Sequence, residues 1–391
     1  MCGIVGGIAE RNISEVLLEG LKRLEYRGYD SAGLALVADG KLLRERAVGK
    51  VINLATAVQQ SQIQGHLGIA HTRWATHGQP SDINAHPHMN TKGTISVVHN
   101  GIIENYLQLK NKLIRHGYTF KSETDTEVVA QLLDYYFNGN PLETIVKVIH
   151  RIEGSYSLGI IFSEEPDSIY AVRKSSPLIV GKSKEGSFIA SDVPALLKYT
   201  RNVFYLGENE IARLKKDSVA FFDADGEDIK KDSVEIKWDA KAAEKGGYDY
   251  FMLKEIYEEP DAVNRTLLPR IKNDDVIIEE LKLSDDEIKN IRKINIVACG
   301  SAYHTGVTAK YVFEGMGRIP VDVDIASEFR YRDPILSHED LVIVISQSGE
   351  TADTLAALRE AQGKGCRVLA IVNVPGSSIA READMVMYTK A

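Results

Sequence analysis

A cysteine at position 2 opens the run Met1-Cys2-Gly3-Ile4-Val5-Gly6-Gly7 and is the first residue able to do chemistry. Its side chain is small enough for removal of the initiator methionine, which would leave a thiol and a free α-amine on one residue. An α-amine titrates near pH 7.7–8.0, roughly, so close to neutrality part of it is unprotonated and can accept the thiol proton. A nucleophile beside its own base is an arrangement for covalent acyl transfer. Ile4 and Val5 read as a short strand that would bury the start of the chain. Gly3, Gly6 and Gly7 leave room for a substrate or a second backbone. Taken alone, the same run would also suit a frayed terminus.

Four further stretches offer what such a nucleophile requires. Arg73-Trp74 supplies a guanidinium for bidentate carboxylate binding and a flat wall beside it. Asn100-Gly101 is expected at a strand end, where a side-chain amide and an unhindered backbone N–H can face a developing oxyanion. Asp125, at a helix start, suits an ammonium group, and Arg27, in a glycine-bearing loop, could close over a bound anion. Together with Cys2 they amount to a nucleophile, an oxyanion hole and clamps for both ends of an α-amino acid. Singly, each has a plain structural use: Asp125 as an N-cap, Arg73 in a surface ion pair, Trp74 in a core, Asn100-Gly101 as a turn. His71, His77, His86, His88 and His99 crowd the same region, but their spacing fits no zinc signature, and no metal or organic cofactor is expected.

These residues need elements to carry them. Apolar positions Leu17, Leu18, Leu21 and Leu24 recur at helical spacing behind Ser14, the expected cap, and Gly28 can end that helix. A strand over 33–38 and the Asp39-Gly40 turn make a hairpin. A helix over 51–60, a strand running into His71, and a strand over 94–99 follow. Helices are expected over 104–116, 126–137 and 141–152, then short β segments from 154 to 223. Strands and helices in separate runs point to an α+β layered domain.

From residue 294 the pattern changes to strand–helix–strand. Continuous apolar runs over 294–298, 341–345 and 368–372, with further strands over 321–325 and 385–388, alternate with helices over 304–315 and 352–362. That pattern indicates a parallel sheet covered on both faces. Two strand-to-helix turns, Cys299-Gly300-Ser301-Ala302 and Ser346-Gln347-Ser348-Gly349-Glu350-Thr351, would present helix N-termini at the carboxyl edge of the sheet. The second is dense in hydroxyls and favours a phosphate cradle, although no lysine follows its glycine, so it is not a Walker loop. The first reads equally well as an ordinary capped turn. Between the halves, residues 250–268 read as an amphipathic helical linker.

Composition limits the function classes. The chain has 391 residues, 44% hydrophobic and 26% charged, which suits a soluble globular protein of two or three domains. A formal net charge of −8 and the lack of a long basic run argue against nucleic-acid binding. Three distant cysteines, Cys2, Cys299 and Cys366, form no disulfide framework and fit a reducing cytoplasm. No signal peptide or bilayer-length apolar run is visible, so no membrane association is expected.

Five motifs of the first half occur in the order of a known family: Met1-Cys2-Gly3-Ile4-Val5-Gly6, Tyr26-Arg27-Gly28-Tyr29-Asp30-Ser31, His71-Thr72-Arg73-Trp74-Ala75-Thr76-His77-Gly78, His99-Asn100-Gly101-Ile102-Ile103-Glu104-Asn105 and Ser122-Glu123-Thr124-Asp125-Thr126-Glu127. They resemble the class II, N-terminal-nucleophile glutamine amidotransferase domain. The resemblance implies an αββα sandwich over 2–237. It makes Cys2 the nucleophile with its own amine as base, and Asn100 with the N–H of Gly101 the oxyanion hole. Arg73 becomes the carboxylate anchor and Asp125 the ammonium anchor. Thr76 and His77 line the glutamine site, Trp74 gates ammonia passage and Arg27 closes the lid.

The second half resembles the SIS (sugar isomerase) phosphosugar-binding domain. Its Ser346–Thr354 run and Ala326-Ser327-Glu328-Phe329-Arg330-Tyr331-Arg332 are similar to the glucosamine-6-phosphate synthase family, and residues 252–260 resemble that family's interdomain segment. By that similarity Ser346, Gln347, Ser348 and Thr351 contact a sugar phosphate and Ser301 lies close by. Ala302 stands where the family often has a second hydroxyl. The implied organisation is an amidotransferase domain over 2–237, a helical linker over 238–290 and an incomplete doubly wound α/β SIS domain over 291–391. The family carries its distal isomerase residues beyond such a point, so a fragment limited to glutamine hydrolysis is expected. The implied ligands are L-glutamine and fructose-6-phosphate, the implied assembly a homodimer through the SIS part, and the implied location cytoplasmic. Two rival readings are a stand-alone glutaminase and a non-catalytic phosphosugar-sensing module.

Overall fold

A computed structural model describes the chain except for Met1, Tyr26, Arg27, residues 237–247, Asp249 and Asp274, and the side chain of Phe251. Its contacts divide the chain into two compact units, Met1–Glu244 and Lys245–Ala391.

The first unit is built on two antiparallel sheets. One has eight strands in the order Val234–Glu235, Asn202–Tyr205, Ile179–Lys182, Gly186–Ala190, Gly3–Ala9, Leu67–Arg73, Ser31–Ala38 and Lys41–Val48. The other has seven: Asp228–Ile229, Val219–Phe222, Glu210–Leu214, Ile169–Lys174, Gly154–Phe162, Ile95–Ile103 and His88–Met89. Alternation of side chains along a strand decides which layer each residue joins. In Gly3–Ala9, Ile4 and Ile8 face the second sheet's Val98, Ile161, Ile169 and Ala171, whereas Val5 faces Leu17, Leu21 and Leu24 of the helix Ile13–Leu24. On the far side, Val128, Val129, Leu132 and Leu133 of helix Thr126–Tyr136 pack against Val97, Leu158 and Ile160. Helix, sheet, sheet, helix is the layering that the resemblance implied.

Local readings shifted in three places. Asn12, not Ser14, caps the first helix: its Oδ1 accepts from the Ser14 N–H at 3.3 Å, and Ser14 is buried inside the first turn. That helix ends at Leu24 with Glu25 as its C-cap, before Gly28 is reached. Asn100-Gly101 is not at a strand end, because Ile95–Ile103 continues through it, pairing Asn100 with Ser157 and Gly101 with Tyr156. A partner strand distant in sequence extends the pairing past the point that local pattern suggests. Gly101 sits at φ 124°, and a Cβ there would stand 2.0 Å from the Ser155 carbonyl oxygen, so only glycine fits.

The second unit contains a five-stranded parallel sheet in the order Val321–Ile325, Lys293–Ala298, Asp340–Ser346, Arg367–Val372 and Met385–Tyr388. Its helices are Ser301–Val312, starting three residues before the expected helix, Ala326–Tyr331, Ala352–Gly363 and Ser378–Glu382. Helix Ala352–Gly363 buries Leu355, Ala357, Leu358 and Ala361 against Val342, Val344 and Val368. The chain enters the sheet at Lys293–Ala298, steps to one side, then returns and continues on the other. The turns after Ala298 and after Ser346 therefore flank the point where the winding reverses, which in such sheets is the crevice for ligands. The same unit includes helix Phe251–Leu267, with Pro260 inside it.

Candidate active site and phosphate cradle

Strand Gly3–Ala9 lies beside Leu67–Arg73, pairing Gly3 with Thr72 and Ile4 with His71. That register brings Cys2 next to the residues just past Arg73. The Cys2 Sγ accepts from the Trp74 N–H at 3.2 Å and lies 3.4 Å from the Trp74 carbonyl oxygen, to which the thiol donates. Burial pushes the thiol's pKa up, and the Trp74 backbone bond and Arg73 pull against that. The Cys2 carbonyl oxygen accepts from Asn100 Nδ2 at 3.1 Å. The second sheet thus delivers its amide to the end of the first, across a sequence separation that only the two-sheet packing closes.

Arg73 is buried, and its guanidinium donates to the carbonyls of His77, of Gly78 at 3.0 Å and of Gln79 at 3.5 Å. It shapes the loop after it as well as presenting charge. Desolvation lowers its pKa, which Cys2, Asp30 and Asp125 offset. Trp74 is half exposed and meets Tyr29 edge-on at 5.7 Å. Thr76 is exposed, with its Oγ1 3.4 Å from His77 Nδ1, and the His77 ring meets Tyr106 edge-on at 5.3 Å.

Asp125 occupies the N-cap position of helix Thr126–Tyr136 without capping it through its side chain. Its Oδ2 instead accepts from the Ile103 N–H at 2.8 Å, while Oδ1 lies 4.0 Å from His77 Nδ1. The carboxylate is buried and forms no ion pair with a lysine or arginine among the described residues. A buried carboxylate without a cation is costly, and a ligand ammonium would relieve the cost. Cys2, Arg73, Trp74, His77, Asn100 and Asp125 are therefore linked by contacts of one another's segments. Gly101 follows Asn100 on the same strand. Arg27 falls among the residues whose structure is not described.

Asp30 was not singled out from sequence. Its carboxylate accepts from the Ala75 N–H and its own N–H donates to the Arg73 carbonyl at 3.1 Å, tying the 28–31 turn to the Arg73–Thr76 loop. The signal was a lone acid between Tyr29 and Ser31, too common to stand out. Apart from His77, expected at the glutamine site, the histidines carry no role in the sequence reading beyond a metal site it disfavours. Four of them, His71, His86, His88 and His99, are fully buried and held below the usual histidine pKa by desolvation, His71 down to about 3. Among the described residues no group of three or more His, Cys, Asp or Glu is placed to hold a metal.

In the second unit, Ser346 Oγ lies 2.9 Å from Thr351 Oγ1 and accepts from the Gly349 N–H at 3.1 Å. Ser348 Oγ accepts from the Glu350 N–H at 3.2 Å. Thr351 is the N-cap of helix Ala352–Gly363 but its side chain caps nothing, which leaves that end's amides for an anion. Gly349 has φ 66°, and a Cβ there would collide with Ser377 Oγ at 1.9 Å. Gln347 is exposed, and its carbonyl accepts from the Asn373 N–H at 3.1 Å. Ser301 is exposed at the first turn of helix Ser301–Val312, behind Gly300 at φ 61°.

The two halves match known domains: a SIS domain over residues 287–391 and a glutamine amidotransferase domain over residues 71–198. The class is thus an amidotransferase domain followed by a sugar-isomerase-type domain. The whole chain aligns at 57% identity over 392 residues with the glutamine–fructose-6-phosphate aminotransferase [isomerizing] of Clostridium acetobutylicum. It aligns at 58% identity over 392 residues with that of Caldanaerobacter subterraneus. By sequence the chain is similar to glutamine–fructose-6-phosphate aminotransferases, and it spans 64% of the length of these curated relatives. Among solved structures, the glutamine phosphoribosylpyrophosphate amidotransferase of Bacillus subtilis superposes with a TM-score of 0.53 at 16% identity, covering 99% of this chain and 90% of that one. At that identity the likeness speaks for the fold alone.

Proposed function

We propose that the first unit hydrolyses L-glutamine and that the ammonia released serves amination of fructose-6-phosphate to glucosamine-6-phosphate, the phosphosugar being held by the second unit. The observation that carries this reading is the convergence on Cys2: Asn100 donates to its carbonyl at 3.1 Å while the Trp74 main chain flanks its sulfur. Loss of Met1 frees the Cys2 amine as the base. The thiol adds to the γ-amide carbon of glutamine, its proton passing to the amine. Asn100 and the Gly101 N–H stabilise the oxyanion, and collapse expels ammonia, which takes that proton, leaving a thioester. Water then attacks the thioester and releases glutamate. Arg73 would hold the glutamine carboxylate and Asp125 its ammonium, with Thr76 and His77 beside them, Trp74 at the exit and Arg27 as the closing residue.

The hydroxyl-rich turn Ser346–Thr351, with Gln347 and the nearby Ser301, supports phosphosugar binding at the sheet's reversal point. The described residues contain no helix long and apolar enough to cross a membrane. A cytoplasmic location and no nucleic-acid partner belong to the same reading, supported by the free cysteines and the net charge of −8. Pairing through the SIS part is supported by exposed Tyr311, Val312 and Met316, and sedimentation of the chain reads it.

The test is glutamate release from glutamine by the 391-residue chain and by Cys2→Ala, with the N-terminal mass measured for both. Loss of at least roughly 10³-fold in the variant is expected. Release by Cys2→Ala at the parent rate would refute the assignment.

A further inference from the structure

The oxyanion amide does not stand alone. Asn100 Oδ1 lies 3.0 Å from His71 Nε2, and the same nitrogen lies 2.9 Å from the His99 carbonyl oxygen. Two backbone oxygens that can only accept fix the protons in this group. The His99 carbonyl requires a hydrogen on His71 Nε2, and the Cys2 carbonyl requires the NH₂ end of Asn100 to face it. The remaining pair is then consistent, with the His71 N–H donating to Asn100 Oδ1. One Asn100 N–H is spent on Cys2, and the other is left for a substrate oxygen.

The ring is locked in that tautomer. His71 is wholly buried, its Nδ1 has no hydrogen-bond partner, and an unpartnered lone pair is the lesser cost there than an unpartnered N–H. His86 covers one face of the ring, with centroids 4.2 Å apart. The Thr126 hydroxyl lies 2.8 Å from both His86 Nε2 and His99 Nδ1, so it donates to one ring and accepts from the other. The arrangement continues through His88 Nε2 and Thr124 Oγ1 at 3.0 Å to Ser122 and the buried Glu127. Burial favours the neutral form of these rings, and the Asp125 carboxylate 4.0 Å from His99 Nδ1 opposes it only in part.

We propose that His71 is a positioning residue that fixes the Asn100 amide through its Nε2–H, so that the second amide hydrogen is already aimed when the oxyanion forms. The inference rests on the reading of Asn100 as an oxyanion donor. A preorganised donor acts on the transition state more than on ground-state binding, so its disturbance falls on kcat rather than KM. His71→Phe keeps an aromatic ring in the slot and removes the donor. His71→Gln can return an N–H to the same place.

The experiment measures steady-state glutamine hydrolysis and Cys2 alkylation by iodoacetamide for the parent chain, His71→Phe, His71→Gln and Asn100→Ala, with urea unfolding as the check on folding. Alkylation needs the thiol but no oxyanion hole. Asn100→Ala should lower kcat by roughly 10²–10³-fold. His71→Phe should lower kcat by about 10- to 100-fold with KM within about twofold and alkylation unchanged, and His71→Gln should recover part of the loss. Parental kcat in folded His71→Phe beside a disabled Asn100→Ala would overturn the role of His71 alone. Parental kcat in Asn100→Ala would overturn the reading of Asn100 first and this inference with it. Should His71→Phe fail to fold, a folded His71→Gln with retained kcat supports the proposal, and failure of both to fold overturns it in favour of a purely structural ring.

Discussion

The two units solve the problem of positioning in opposite ways. In the first, Cys2, Arg73, Asn100 and Asp125 come from four separated segments, and two antiparallel sheets bring them together. Most are buried, and their hydrogen bonds run to backbone atoms of one another's segments. In the second, the proposed cradle is a single turn, Ser346–Thr351, whose hydroxyls bond within five residues, while Asn373 donates to the Gln347 carbonyl. The first site exists only if the whole domain is folded, and Arg73, Asn100 and Asp125 are held in a dry setting where misplacement is expensive. The second can be nucleated locally and shares its load among several hydroxyls and backbone amides. Single changes should accordingly be severe in the first unit and mild in the second.

Acidification is the broadest way to break that contrast. Desolvation holds His71 down to about 3 and holds His86, His88 and His99 below the usual value of 6.5. As pH falls below 6.5, an unfolded chain takes up protons that the folded one refuses, so stability of the first unit falls with pH. Each such histidine contributes a slope of up to about 1.4 kcal/mol per pH unit. The second unit's histidines, His304 and His338, are exposed. Trp74 belongs to the first unit, so its fluorescence reports that unit's unfolding in urea. The expected result is a midpoint that drops by several kcal/mol equivalents between pH 7 and pH 5. A flat profile would mean that the rings are charged or open to water.

The sequence made the chemistry more legible than the geometry. Layer order, the parallel second sheet and its strand bounds at 321–325 and 385–388 followed from periodicity and motif resemblance, and the structure agrees. What escaped were features decided by tertiary partners. Asn100-Gly101 read as a strand end because nothing local announces the Gly154–Phe162 strand beside it. Asp125 read as a possible N-cap, yet its oxygen goes to Ile103, which precedes it by 22 positions in a different element. The histidines invited a metal reading because type and crowding are visible in a sequence and burial is not. Only the packing reveals that the Thr126 and Thr124 hydroxyls, the His99 carbonyl and the Asn100 amide oxygen meet one nitrogen of each ring.

A narrower test separates binding from chemistry inside the first unit. Asp125→Asn removes the charge expected to meet the glutamine ammonium while keeping an oxygen for the Ile103 N–H. A charged hydrogen bond contributes about 1.5–3 kcal/mol, so KM should rise by roughly 10- to 100-fold. Thiol alkylation should stay at the parental rate because Cys2 is untouched. An unchanged KM would remove Asp125 from the ammonium site and leave it as a support for the strand at Ile103.

The smallest effect is expected where the cradle is most redundant. Ser348 Oγ accepts one hydrogen bond, from the Glu350 N–H at 3.2 Å, whereas Ser346 Oγ engages both Thr351 and the Gly349 N–H. Removing the Ser348 hydroxyl leaves the turn's shape in the hands of Ser346 and Gly349, whose positive φ is fixed by the packing of Ser377 against it. The lost phosphate contact should cost about 1 kcal/mol, roughly a fivefold weaker affinity for fructose-6-phosphate by calorimetry in Ser348→Ala. Ser346→Ala should cost more, because it loosens the amides as well as losing a hydroxyl. Equal losses in the two variants would mean that the turn is not held by its internal bonds, and the division between a distributed cradle and a tightly interlocked thiol site would fail on its second half.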